Sequence, residues 1–266
     1  MVGFAGLLDN VIASFDVMSF FAEALGANLP DRFIFRQVYY KDIEVFLVDG
    51  EVRSKNHEHP QLCHQASYQS IVDRRGSPLF QMPDGGVVND YVPFYFSPIT
   101  SFTFTIFRGN VDLMSPEGDN LGPACEEDRV FLVAKVENFR DSGLDFCFSD
   151  FALNSNAPLP VLCGDLDSLE EHVHWDMFDE YPYKGRIEEL GYNGVCQYFK
   201  SMDDPPERMT RSQKRMAEFL VRSAVPLGLI DCLIVKSETI RDKLEQMMDA
   251  SVWDIPIYVK PGCYYQ

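Results

Sequence analysis

The sequence predicts an α+β fold, a split β-sandwich with peripheral helices. Two observations predict it: β-rich runs separated by turn signals fill residues from about 33 to 148, and β-rich runs return near 216–237 and 255–260. Loops and helices lie between them, and strands grouped in this way are typical of an antiparallel sheet covered by helices. The chain has 266 residues, of which 46% are hydrophobic, and contains no linker rich in glycine, serine or proline. One large domain is therefore expected.

The first 28 residues are predicted to form an amphipathic helix or a pair of helices. Acidic residues interrupt this segment, no basic residues precede it, and no apolar run reaches the ~20 residues that a bilayer span requires. We therefore expect residues 1–30 to pack on a domain formed by residues 31–266, in preference to binding a partner or a membrane. The apolar residues recur at helical spacing, at Phe4, Leu7, Leu8, Val11, Ile12, Phe15 and Met18.

A first strand is predicted over residues 34–43, and a polar loop follows it. The loop contains His57, His59, Cys63 and His64, all of residue types that bind zinc. Their spacing matches no common zinc module, so no metal site is predicted. The seven cysteines of the chain are odd in number and irregularly spaced, and no secretion signal is present. This pattern predicts reduced thiols in a cytoplasmic protein.

Two later segments carry the clearest chemical signal. Residues 91–96 are an aromatic, β-rich run that follows turn-forming residues 83–86, and they predict a buried strand. Far downstream, Glu218 stands between Ala217 and Phe219. A carboxylate among apolar neighbours is seldom buried without a task or a cationic partner. The local pattern is equally compatible with a glutamate on the solvent side of an edge strand.

These segments resemble the DarT family, toxins that attach ADP-ribose from NAD to bases of single-stranded DNA. The resemblance covers residues 34–266. It is most specific in Ser-Ile-Val-Asp-Arg-Arg at residues 70–75, in the turn at 83–86 and in Asp-Tyr-Val-Pro-Phe-Tyr-Phe at 90–96. It returns in Pro-Pro-Glu at 205–207, in residues 216–221 and in the terminal pair Tyr264 and Tyr265. The resemblance implies an ADP-ribosyltransferase-like fold and NAD as co-substrate.

The resemblance also implies roles for single residues. Glu218 occupies the position of the family's catalytic glutamate, Arg75 that of its catalytic arginine, and Tyr95 and Tyr68 occupy positions lining the nicotinamide pocket. Breaking the bond between nicotinamide and ribose develops positive charge on the sugar, which a nearby carboxylate stabilises. The same carboxylate can help to remove a proton from the attacking base nitrogen. A guanidinium presents a planar fork of donors suited to the NAD phosphates.

Three positions depart from the family pattern. Arg36 stands where the family has a histidine that holds the NAD ribose, Tyr39 replaces a second histidine, and Asn89 replaces a third. Arg36 and Tyr39 are still expected to bind the cofactor, because a guanidinium can bind a ribose hydroxyl or the pyrophosphate. The chain is therefore identified as a divergent member of the family.

The charge distribution bears on the acceptor. With 41 acidic and 23 basic residues, a net charge of −18 repels a polyanion at long range. Residues 207–222 are locally basic and precede or surround the predicted catalytic glutamate. This segment pairs either with the protein's own acidic surface or with a nucleic acid strand. On the second interpretation the nucleic acid is bound by Arg208, Arg211, Lys214 and Arg215.

The sequence therefore predicts an NAD-dependent mono-ADP-ribosyltransferase toxin that modifies a base of single-stranded DNA and releases nicotinamide. A single strand spares the enzyme the cost of unstacking a base. DNA is favoured over RNA, and the same chemistry on RNA or on a protein side chain is the nearer alternative. A catalytically inactive module that binds NAD or nucleic acid is the more distant one. The expected partner is an antitoxin such as a macrodomain-like ADP-ribosyl hydrolase, and no membrane role is expected.

Overall fold

A computed structural model of the chain describes residues 31–154, 159–199 and 210–266. The helical extension predicted over residues 1–30 lies outside the described residues. Residues Arg32–Gln266 cluster as one unit. The strands of this unit, numbered in chain order, are β1 Phe33–Tyr39, β2 Glu51–Arg53, β3 Tyr91–Tyr95, β4 Asp112–Met114, β5 Asn120–Pro123, β6 Arg129–Lys135, β7 Phe146–Ser149, β8 Leu162–Cys163, β9 Tyr183–Lys184, β10 Val195–Cys196, β11 Glu218–Arg222, β12 Ala224–Pro226, β13 Cys232–Val235 and β14 Ile257–Val259.

The helices of the described residues are short. The longest has 12 residues, and among the described helices none is long and apolar enough to cross a membrane. They are α1 Asp42–Asp49, α2 Gln69–Arg75, α3 Ser101–Phe107, α4 Leu169–His172, α5 Arg211–Lys214 and α6 Glu238–Asp249.

Eight strands form one sheet that is nearly divided in two. The strand order is β14-β13-β6-β1-β3-β11-β7-β8, and β13 and β14 are parallel, while the other pairs run antiparallel. β1 pairs with β6 along its whole length, and β11 pairs with β3 along its whole length. Between β1 and β3, however, only Phe35 and Tyr95 are paired. The sheet therefore has two four-stranded halves that separate beyond this pair, which confirms the predicted α+β split sandwich.

The alternation of side chains along β6 divides the core between the two faces of the sheet. Val130, Leu132 and Ala134 enter the main hydrophobic cluster, while Phe131 and Val133 enter a second cluster on the other face. Successive side chains of a strand point to opposite faces, so a strand covered on both sides is apolar throughout. This double coverage explains the continuous apolar runs in the sequence.

The predicted first strand is too long, because its last residues belong to a helix. α1 begins at Asp42, and Ile43, Phe46 and Leu47 lie buried at helical spacing against the main cluster. The helix ends at Gly50, whose φ of 74° lies in the left-handed region and whose N–H donates to the carbonyl of Phe46 at 2.8 Å. The turn that follows leads directly into β2.

Candidate active site

Glu218 and Arg75 form a buried ion pair. Glu218 begins β11, and its side chain is 3% exposed. Arg75 ends α2 and donates from Nη1 to Oε1 and from Nη2 to Oε2 of the glutamate, each at 2.8 Å. β11 lies inside the sheet, between β3 and β7. Glu218 is therefore not a solvent-facing residue of an edge strand, and the structure brings together the two residues predicted to be catalytic.

Backbone and side-chain contacts hold the pair in place. The N–H of Glu218 donates to the hydroxyl of Ser149 at 3.0 Å, and Glu218 faces Tyr95 in the register of β11 with β3. The side-chain amide of Asn89 donates to the carbonyl of Val72 at 3.1 Å, which ties α2 to the segment before β3. Asn89 thus anchors the helix that carries Arg75.

The electrostatics of the pair keep its cation charged. Burial acts to lower the pKa of Arg75, but the charge of Glu218 and the hydrogen bonds to it outweigh burial, and the pKa is raised. Burial, together with the Glu218 charge, raises the pKa of Tyr95 well above its ordinary value. The phenol is therefore a hydrogen-bond donor beside the carboxylate at any physiological pH.

A cavity of about 470 Å³ opens where the two halves of the sheet separate. Its wall includes Arg36 from β1, Arg75 at the end of α2 and Tyr95 from β3. Volumes of this order are typical of small-molecule and cofactor sites. Glu218 is not among the described residues that line the cavity. Arg75 lines the cavity and binds both carboxylate oxygens, so contact between a bound sugar and the carboxylate requires movement around this arginine.

Arg36 bridges the two halves of the sheet beside the cavity. It follows Phe35, the residue of β1 that still pairs with β3, and its Nη1 donates to the carbonyl of Pro93 at 3.0 Å. A side chain thus replaces the next backbone hydrogen bond of the ladder. Arg36 lies in the cavity wall, and its role in binding the cofactor stays a prediction.

Two tyrosines predicted to bind the cofactor lie elsewhere. The ring of Tyr39 packs against the imidazole of His64, with centroids 4.4 Å apart. Tyr68 is 49% exposed, and its hydroxyl donates to the carbonyl of Asn110 at 2.7 Å. Neither tyrosine is in the cavity wall, whereas Ser67, one residue earlier, is. The structure therefore gives no support to Tyr39 as a cofactor-binding residue or to Tyr68 as a residue of the nicotinamide pocket, and both roles stay predictions.

The basic segment before Glu218 also needs correction. Arg211 is 2% exposed and donates to the carboxylate of Glu180 at 2.6 Å. Arg215 is fully buried. Neither guanidinium is available to a nucleic acid strand, because both are used to satisfy buried acceptors. The Arg215 acceptors, between 3.1 and 3.3 Å away, are the carbonyl oxygens of Met177, Cys196 and Tyr198 and the hydroxyl of Ser97.

Four basic residues were predicted to bind nucleic acid, and among those that the structure describes, Lys214 is the one that is partly accessible to solvent. Its ammonium lies 5.8 Å from the ring centroid of Phe151, in the segment that follows β7. Arg208 lies outside the described residues. Lys214 therefore remains a candidate for contact with an acceptor strand.

Replacement of Arg215 by methionine is expected to lower the free energy of unfolding by about 3 kcal/mol, because several buried carbonyl groups lose their donor. Urea denaturation of the purified variant measures this loss. Lys214→Gln is the matched control: it removes the same charge one residue earlier and should change stability by less than about 0.5 kcal/mol. Equal stability of the two variants would contradict a structural role for Arg215.

His64, which was predicted to lie in a polar loop, is part of the cavity wall. Asp42, 3% exposed at the start of α1, accepts from the backbone N–H of His64 at 3.0 Å, and it lies 2.7 Å from the imidazole Nδ1. With Nδ1 held by the carboxylate, the imidazole offers its Nε2 to hydrogen bonding. The sequence contained no sign of the pairing, because its two members are 22 residues apart and belong to different elements.

The comparisons with known proteins define the class of this protein as an NAD-dependent ADP-ribosyltransferase. The chain belongs to the DarT family: the family model described as "ssDNA thymidine ADP-ribosyltransferase, DarT" matches residues 48–265. This match confirms the resemblance inferred from the sequence motifs.

Two curated relatives carry the name DNA ADP-ribosyl transferase. The protein from Thermus sp. (strain 2.9) is 24% identical over 216 residues, which cover 81% of this chain and 86% of the relative. The protein from Escherichia coli O127:H6 (strain E2348/69 / EPEC) is 20% identical over 239 residues, or 89% of this chain and 95% of the relative. Both alignments therefore span nearly the whole of the relatives.

Solved structures share the fold. Thermus sp. 2.9 DarT in complex with ADP-ribosylated ssDNA has a TM-score of 0.70 at 21% identity, covering 89% of this chain and 98% of that chain. The same protein in complex with NAD+ has a TM-score of 0.67 at 21% identity, covering 90% and 100%. Thermosipho africanus DarTG in complex with ADP-ribose has a TM-score of 0.57 at 16% identity, covering 88% of this chain and 51% of that chain. The split sandwich is thus the DarT fold.

Proposed function

We propose that this protein transfers ADP-ribose from NAD to a base of single-stranded DNA and releases nicotinamide. The observation that carries the proposal is the bidentate pair of Glu218 and Arg75 beside a cavity of cofactor size. Membership of the DarT family and the Thermus complexes with NAD+ and with ADP-ribosylated ssDNA support both the co-substrate and the acceptor.

The reaction exchanges one glycosidic bond for another. The bond between C1′ of the ribose and the nicotinamide nitrogen breaks, and its electron pair leaves with nicotinamide, which becomes neutral. Positive charge develops on the sugar, and the Glu218 carboxylate stabilises it. A nitrogen of the nucleobase then forms the new bond to C1′ and loses its proton. The Glu218 carboxylate is the nearest candidate for the general base that accepts this proton.

Arg75 is a positioning residue in this scheme. Both of its terminal nitrogens bind Glu218. The arginine therefore orients the carboxylate and prevents it from turning to hydrogen-bond with other donors. Tyr95 faces Glu218 across the pairing of β3 with β11, and it lines the cavity. We assign its ring to contact with the nicotinamide ring. An aromatic face beside the scissile bond favours stacking with a heteroaromatic leaving group.

We assign thymine as the modified base, because the family description names thymidine. The protein is further assigned to a toxin–antitoxin pair, with a cognate antitoxin of the macrodomain-like hydrolase type that removes the mark. The Thermosipho africanus relative, whose title names DarTG, supports such a pairing. A reaction that consumes NAD and modifies DNA supports a cytoplasmic location.

The acceptor assignment is tested with labelled NAD and matched nucleic acids. The full chain is incubated with single-stranded DNA that contains thymine, the same strand without thymine, its duplex and the RNA of equivalent sequence. Label on the first strand alone is the expected result. Label on RNA or on added protein would replace the acceptor, and binding of NAD without transfer to any pool would favour an inactive binding module.

His64→Ala is expected to raise the KM for NAD about 10-fold and to change kcat by less than about twofold. The reason is that one hydrogen bond from an oriented imidazole to the bound dinucleotide is lost, while the Glu218 centre is left intact. Steady-state kinetics with varied NAD measure the two constants. The control is His59→Ala, since the His59 side chain is 75% exposed and lies outside the cavity wall. Equal KM values for the two variants would remove His64 from the binding site.

A further inference from the structure

Arg129 is a buried cation without adequate partners. It begins β6, is 4% exposed and lies in the wall of the cavity. Its Nε and Nη1 have no hydrogen-bond partner among the described residues. Arginine is seldom buried unless it is paired, because an unpaired guanidinium loses its hydration without compensation. An unmet set of donors in the wall of a cavity points to a ligand that supplies the acceptors.

Arg36 presents a second set of unmet donors to the same cavity. One of its terminal nitrogens is used on Pro93, but its buried Nε has no partner among the described residues. Burial lowers the pKa of Arg36 and lowers that of Arg129 to about 10, which shows that nearby acids do not compensate for the lost hydration. Asp42, whose charge acts on both arginines, already accepts from the backbone N–H of His64 and lies 2.7 Å from its imidazole Nδ1.

Other arginines of the site are already committed. Arg75 gives both terminal nitrogens to Glu218, and Arg53 donates to the carboxylate of Glu51 and to the carbonyl of His59. Within the described residues, the buried guanidinium nitrogens of the cavity wall that lack a partner therefore belong to Arg36 and Arg129. Two forked, permanently charged donors suit an anion with several oxygens on two centres, which is the chemistry of a diphosphate.

We infer that Arg36 and Arg129 bind the diphosphate of NAD, and that Arg75 does not. The inference rests on the proposed function for the identity of the ligand. Arg36 follows the residue paired with Tyr95, whereas Arg129 is paired with Tyr39, three residues further along β1. The two side chains leave opposite faces of the sheet, but both reach the cavity wall where β1 is no longer paired with β3, so they can approach a diphosphate at this edge of β1 from its two sides. The nicotinamide half then points to Tyr95, and the adenosine half points to the His64 side of the cavity.

Binding measurements on the full chain test the inference. Titration calorimetry with NAD and ADP-ribose compares the natural protein, Arg129→Gln, Arg36→Gln and the control Arg140→Gln. Arg140 is a surface residue that pairs with Glu137 and Asp167. Its replacement by glutamine therefore removes the same charge at a position away from the cavity. We expect Kd for both ligands to rise about 10- to 100-fold in the two cavity variants and to stay within about twofold in the control. Equal Kd values for Arg129→Gln and Arg140→Gln would overturn the inference.

A thermal-shift measurement provides an independent readout. Inorganic pyrophosphate is expected to raise the Tm of the natural protein and to leave that of Arg129→Gln unchanged. Without ligand, Arg129→Gln should be at least as stable as the natural protein, because it removes an unpaired buried charge. A large loss of Tm would show that Arg129 has a structural partner and would overturn the inference. If the natural protein binds ADP-ribose through these residues but modifies no DNA, the proposed function fails while the diphosphate site stands.

Discussion

Glu218→Gln is expected to lower kcat for ADP-ribose transfer by about 10³-fold, the typical effect of removing one electrostatic group from a transition state. The amide has the same shape but neither stabilises the positive charge on the sugar nor accepts a proton from the base. Because Glu218 is outside the cavity wall, we expect the KM for NAD to change by less than about threefold. Single-turnover transfer from labelled NAD to single-stranded DNA measures the rate.

A second buried glutamate provides the control for that experiment. Glu126 is 3% exposed and accepts from Lys236 and from the backbone of Tyr265, away from the cavity wall. Glu126→Gln should keep the transfer rate within about threefold of the natural protein. If Glu218→Gln transfers ADP-ribose as fast as Glu126→Gln, the carboxylate has no part in the chemistry.

Arg75→Met is expected to lower the free energy of unfolding by about 3 kcal/mol. The substitution leaves the Glu218 carboxylate buried without its cation, and breaking one side of a buried pair costs about 3–5 kcal/mol. The lower end applies because the Arg75 side chain is 15% exposed, so water reaches part of the vacated space. Urea denaturation monitored by fluorescence measures the loss.

The double variant separates stability from chemistry. Arg75→Met combined with Glu218→Gln should be more stable than Arg75→Met alone, because no charge is then buried unpaired. Neither variant should transfer ADP-ribose at more than about 1% of the natural rate, since both disrupt the oriented carboxylate. Additive losses of stability in the double variant would show that the two side chains are not coupled, in conflict with the hydrogen bonds of 2.8 Å.

The strands and the pair formed by Glu218 and Arg75 were the parts of the molecule most accessible from sequence. Residues 91–96 and 216–221 are contiguous apolar runs, and both lie in the interior of the sheet as β3 and β11. Glu218 stood out because a single carboxylate interrupts such a run, but its predicted catalytic role came from the resemblance to the family. Arg75 was recognisable only through the family motif, because no periodicity relates it to a residue 143 positions away.

The errors have a common physical cause, which is that side-chain partners are set by tertiary contacts. Arg211 and Arg215 were predicted to bind nucleic acid from local charge, yet short segments around residues 177–198 present carbonyl groups that these arginines satisfy. Local charge does not reveal which backbone acceptors lack a donor. The same reasoning applies to Arg129, whose burial beside the cavity follows from the pairing of β6 with β1.

The central claim is that Glu218 and Arg75 form an active site that moves ADP-ribose from NAD to single-stranded DNA. Mass spectrometry of a thymine-containing oligonucleotide, after incubation with the purified full chain and NAD, tests it most directly. The account predicts a mass increase of one ADP-ribose unit with the natural protein and none with Glu218→Gln. An unmodified oligonucleotide with the natural protein, or equal modification by the variant, would contradict it.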